Sequence, residues 1–120
     1  MAFVFTDDHI EDYHKLGYTV FRGILPASLV ADLRRVTDHA RQVAREANGG
    51  QVQRLQPVTA YEQLDQQPFQ DYNQLPALVD AVQSTLGPQY RPSNLSALGI
   101  LLEPADHPWC TQWHRDWRDN

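Results

Sequence analysis

The sequence has little sulfur, little lysine and no long apolar run. Cys110 is the only cysteine in 120 residues, so no intrachain disulfide can form, which fits a reducing compartment. Lys15 is the only lysine among ten basic residues, which face fifteen acidic ones for a net charge of −5. That balance excludes a general nucleic-acid binder, which needs a basic surface to displace counterions. Uninterrupted apolar stretches such as Ile100-Leu101-Leu102 fall far short of the roughly 20 residues of a membrane-spanning helix. The opening residues, Met1 to Asp8, lack the basic region and apolar core of a signal peptide. These absences predict a cytoplasmic protein with neither nucleic-acid nor membrane partners. Phosphate-cradling glycine loops and the Gly-x-Ser-x-Gly elbow are missing too.

What remains is an ordinary globular balance, 42% hydrophobic and 21% charged, in a chain the size of one domain. Thr6 offers an N-cap ahead of Asp7 and Asp8, with Phe5 and Ile10 at hydrophobic-staple positions and Gly17 as a stop, so the first element is a short helix. Tyr18-Thr19-Val20-Phe21 is β-branched and aromatic and predicts a strand closed by Gly23. After Pro26, Leu29, Leu33, Val36, Ala40, Val43 and Ala47 recur at spacings of four and three, one apolar stripe of a long helix ending at Asn48-Gly49-Gly50. Arg34, Arg35, Asp38, Arg41 and Arg45 form its solvated face. His9, His14 and His39 read as surface histidines.

Residues 51–74 carry weaker signals. Val52 and Leu55 suit a short strand, and Phe69, Tyr72 and Leu75 a helical turn. Leu75, Leu78, Val79, Val82 and Leu86 then mark a helix stopped by Gly87-Pro88. Leu95–Leu102 predicts a buried strand, and Thr111–Trp117 another. The fold class expected is α+β in a single domain over 1–120. Residues 1–90 are mainly helical with one or two early strands, and 91–120 begin a sheet. So few late strands cannot bury both faces of a sheet, so we expect an amino-terminal portion of something larger, in which exposed strand edges could drive self-association.

Trp109-Cys110-Thr111-Gln112-Trp113-His114-Arg115-Asp116-Trp117 is the segment richest in chemistry. On a strand, His114 and Asp116 project to one face and Trp113, Arg115 and Trp117 to the other. An imidazole nitrogen beside a carboxylate supplies two of the three ligands of the two-His-one-carboxylate iron site, which leaves coordination positions open. The bland alternative is a histidine hydrogen-bonded to a neighbouring aspartate.

Three stretches together resemble the amino-terminal half of the phytanoyl-CoA dioxygenase family, oxygenases that depend on Fe(II) and 2-oxoglutarate. They are Phe5–Asp8 through Leu16-Gly17-Tyr18-Thr19-Val20-Phe21-Arg22-Gly23-Ile24-Leu25-Pro26, the long helix that follows, and Ser96–Pro104 followed by Gln112-Trp113-His114-Arg115-Asp116. The resemblance implies a double-stranded β-helix (jelly-roll) core, of which 91–120 would be the start. It implies His114 and Asp116 as metal ligands, Fe(II) as the metal, 2-oxoglutarate as co-substrate and hydroxylation of a small organic substrate. Asp116, where halogenases leave room for halide, favours hydroxylation. The family's second histidine and its 2-oxoglutarate-binding arginine lie further downstream than residue 120, so the resemblance implies a complete site only in a longer parent.

Two other readings come from the same residues. His107, Cys110 and His114, with Asp116, could form a small zinc site, although the spacing matches no common zinc module. A non-catalytic relative would use the domain for binding or dimerisation, with His114 and Asp116 as vestiges.

Overall fold

The computed structural model describes residues 2–102 and Trp113. Among the described residues, four helices, two short 3-10 turns and one two-stranded antiparallel sheet make up an α+β arrangement. In chain order these are α1 (Asp7–Leu16), α2 (Ala27–Asn48), β1 (Arg54–Leu55), a 3-10 turn (Val58–Ala60), α3 (Gln67–Asn73), α4 (Pro76–Leu86), a second 3-10 turn (Leu95–Ala97) and β2 (Ile100–Leu101).

Helix α2 is the axis of the fold. At 1.5 Å per residue it runs about 33 Å, and it buries Leu29, Val36, Ala40, Val43 and Ala44. Pro26 suits its start: the ring sets φ at −57°, and the carbonyl still accepts from the Val30 N–H at 3.0 Å. The buried stripe follows the expected spacing up to Val43, then departs from it. Ala44 is fully buried and Ala47 is exposed, because the final turn of α2 extends past the surfaces that cover the rest of the helix.

Val36, Ala40, Val43 and Ala44 pack with Leu55, Val58, Leu64, Phe69 and Leu102, and Leu33, Val52, Tyr61, Leu95, Leu98 and Ile100 complete the cluster. This core therefore joins α2 to β1, both 3-10 turns, α3 and the end of β2. Leu55, Val36 and Val58 are its largest fully enclosed side chains. Burying each such side chain stabilises the fold by roughly 1.5–3 kcal/mol.

Pairing between residues 53–58 and 98–102 closes the core on one side. Arg54 faces Leu101 and Leu55 faces Ile100, flanked by backbone bonds from the Leu102 N–H to Gln53 O (2.9 Å) and from the Val58 N–H to Leu98 O (3.0 Å). The two segments approach closely at Gly99. A β-carbon there would lie 2.9 Å from Cβ of Gln56, next to the backbone, so glycine is what admits the contact. The Gln56 side chain reinforces it by donating to the Ala97 carbonyl at 2.9 Å.

Two predicted strands differ from what is observed. Tyr18–Phe21 pairs with no strand among the described residues and runs into a tight turn, the Arg22 N–H donating to Val20 O at 3.2 Å; Tyr18 and Val20 are exposed while Thr19 and Phe21 are half-buried. Its composition favours a strand, but a strand also requires a neighbour to take its backbone hydrogen bonds. Leu95–Leu102 is not one strand: it begins with a 3-10 turn, and only Ile100–Leu101 is paired. Asn94 explains this, because its side chain accepts from the Ser96 N–H at 3.1 Å and so draws the backbone into a local turn. The strand predicted for Thr111–Trp117 lies outside the described residues except for Trp113, which is fully exposed.

α1 ends as expected, at Gly17 with φ of 81°, whose N–H donates to Tyr13 O at 2.9 Å. It has no buried residue and packs against α4. Ala81 of α4 is buried outside the main core cluster. None of the described helices is long and apolar enough to cross a membrane.

Candidate functional site

The residues singled out for metal chemistry, His114 and Asp116, and the zinc alternatives His107 and Cys110, lie outside the described residues. Among the described residues, no group of three or more His, Cys, Asp or Glu side chains converges as a metal site. The continuous described part of the chain reaches Leu102, which lies just past β2, is 7% exposed and belongs to the core. Beside β2, Leu33, Thr37, Phe69, Tyr72, Leu98, Gly99 and Ile100 line an apolar cleft of about 250 Å³.

His14 and His39 are exposed, as the sequence predicts, but His9 is not a plain surface residue. Its imidazole is half-buried among Phe3, Phe5 and Phe21. It stacks on Phe5 with centroids 5.2 Å apart, and meets Phe3 at 5.5 Å and Phe21 at 5.6 Å. Phe3 and Phe21 also meet edge to face at 5.7 Å. His9 occupies the third position of α1, where the Thr6 backbone N–H donates to its Nδ1 at 3.1 Å. The ring therefore takes the part that glutamate plays in a capping box. Four rings and one cap bond thus close the amino-terminal segment on itself. The spacing of Phe3, Phe5 and His9 was the available signal, but Phe21 joins them from beyond α1.

The clearest electrostatic feature is on α2. Arg35 donates to Asp65 Oδ2 at 3.0 Å and lies 3.6 Å from Asp32. The bond from Arg35 holds the Asp65 carboxyl below its usual range, assisted by the Gln67 backbone N–H. The same Asp65 bond raises Arg35 further above its ordinary value. The pair is exposed and ties α2 to the loop before α3, a structural role. Gln66 secures that loop from within: its side-chain amide donates to Val58 O at 3.0 Å and reaches the carbonyls of Tyr61 and Leu64 at 3.4 Å.

No family model matches this chain, and neither a curated protein nor a solved structure matches it.

Proposed function

We propose that this chain is the amino-terminal part of an Fe(II)- and 2-oxoglutarate-dependent dioxygenase resembling the phytanoyl-CoA dioxygenase family, acting on a small organic substrate. In this reading β2, within 91–120, belongs to the start of the jelly roll, and His114 and Asp116 are two ligands of the iron. The single observation that carries it is the His114-Arg115-Asp116 triplet, a nitrogen and an oxygen donor at strand spacing, placed shortly after the paired segment that ends at Leu102. The order along the chain supports it as well: a helix stopped by Gly17, the β-branched and aromatic run Tyr18–Phe21, then a long helix opened by Pro26. An imidazole and a carboxylate suit Fe(II) and leave positions open, and bound iron with its co-substrate would supply the oxidising chemistry. Within this chain the residues' part is to hold the metal at one sheet face and to keep Trp113 and Trp117 on the other.

Metal binding tests the reading without requiring turnover. The whole chain is titrated with Co(II) as a spectroscopic stand-in for Fe(II), beside His114→Ala, Asp116→Ala and Cys110→Ala. We expect His114→Ala and Asp116→Ala each to remove the Co(II) absorption bands, with Cys110→Ala retaining them. Loss of the bands in Cys110→Ala would instead establish the zinc-type site of His107, Cys110 and His114. Binding that survives both His114→Ala and Asp116→Ala would overturn the dioxygenase reading and leave the binding or dimerisation module.

A further inference from the structure

A cleft of about 220 Å³ lies between α3, α4 and the loop that follows α4. Leu78, Val79 and Val82 form one wall from a single face of α4, and Tyr72 and Tyr90 flank it. Its walls are tied together by side-chain amides. Gln83 on α4 donates to Tyr90 O at 2.9 Å, and Asn73 at the end of α3 donates to Ser93 O at 2.7 Å. The loop is thus fastened at both of its flanks, so the cleft is formed before anything enters it.

Arg91 sets the chemistry. It lines the cleft, is exposed, and pairs with no carboxylate among the described residues. One terminal nitrogen donates to Tyr90 O at 3.1 Å and to Pro88 O, which sets the guanidinium against its own loop; its other donors bond no group among the described residues. A second cleft, along α2, contains Arg34, Asp38 and Arg41 together, and there Asp38 bonds Arg41 at 2.9 Å, so a carboxylate already stands among its cations. Beside α4 no carboxylate among the described residues pairs with the cation, and the walls are largely apolar. An apolar body with an anionic head complements both features. The volume is below the roughly 300–1,000 Å³ of sites for drug-sized ligands, so the body is short.

We propose that the α3–α4 cleft binds a small amphipathic carboxylate, a medium-chain acyl or aryl acid, with its apolar part against Val79 and Val82 and its carboxylate on Arg91. This does not depend on the dioxygenase reading.

The test is a titration of the ¹⁵N-labelled chain with octanoate, and with octylammonium as a control of equal length and opposite charge. Saturable shifts at amides in 72–92 are expected, with octanoate binding roughly tenfold or more tightly than octylammonium, the size of one charge-assisted bond. Arg91→Gln should erase that preference while leaving the spectrum otherwise intact. Val79→Trp should fill the cleft and abolish both titrations. No saturable octanoate binding, shifts centred elsewhere, or an unchanged preference in Arg91→Gln would overturn the proposal. Shifts at these same amides that follow protein concentration alone would overturn it too, by showing that a second copy occupies the cleft.

Discussion

The part of the chain built on α2 and the part that precedes it hold together by different physics. From Ala27 to Leu102, a helix with five buried residues is wrapped by a short sheet, two 3-10 turns and α3, and nine buried side chains form one continuous cluster. From Ala2 to Pro26, α1 buries nothing, and the segment depends on four rings, a cap bond and its packing against α4. The first region gains from area removed from water at many sites together. The second gains from a few ring contacts at half-exposed positions, each worth about 0.5–1.5 kcal/mol beyond burial. The difference predicts that the amino-terminal segment opens locally while the α2 core opens only with the whole fold.

Leu55→Ala is the strongest blow to the core. Leu55 is fully enclosed and sits where β1 meets α2. Its truncation should cost about 2–5 kcal/mol in urea denaturation, since the cavity adds to the lost transfer energy. Hydrogen exchange should accelerate throughout α2. A loss below about 1 kcal/mol would mean that the site collapses freely, and the contrast between the regions would fail.

Phe21→Ala attacks the other region. Phe21 meets Phe3, Phe5 and His9, so its loss removes the ring on which the cluster converges. We expect about 1.5–4 kcal/mol, from three ring contacts at about 0.5–1.5 kcal/mol each. The diagnostic is where the effect appears: α1 amides should exchange faster while those of α2 keep their protection. Equal acceleration in both helices would show that the segment is part of the core's cooperative unit after all.

The same contrast governs what the sequence makes legible. Helices α2 and α4 are readable because their signals are local: apolar spacing in both, Pro26 at the opening of α2, and Gly49 and Gly87 at the ends. Even there the last turn of α2 misleads, because periodicity reports a face and not where the neighbours stop. Tyr18–Phe21 misleads for a related reason, since β-propensity cannot supply a partner strand. The least legible features join distant residues: Arg35 with Asp65, Gln56 against Gly99, and Phe21 closing on His9. In the candidate site the donor types and their spacing were legible at His114 and Asp116. Their placement lies outside the described residues, so the motif and the fold meet at Leu102 and no further.

The smallest effect is expected at the Arg35–Asp65 pair, where the core region is joined by charge instead of by burial. Asp65→Asn keeps a side-chain oxygen for the Gln67 N–H and removes both the charge and the oxygen that Arg35 binds. Because the folded state holds the Asp65 carboxyl below its usual range, the pair contributes stability above the unfolded pKa, about 3.9. That contribution is lost as pH falls through the lower, folded value, where the carboxylate is protonated in both states. Wild type should therefore exceed Asp65→Asn in denaturation midpoint at neutral pH by a small margin. The margin should stay level down to about pH 4 and close below it. Added salt should narrow it at neutral pH, since both side chains are half exposed. A margin that widened on acidification would reverse the sign of the linkage, and one indifferent to both pH and salt would assign the effect to the turn before α3 and not to the ion pair.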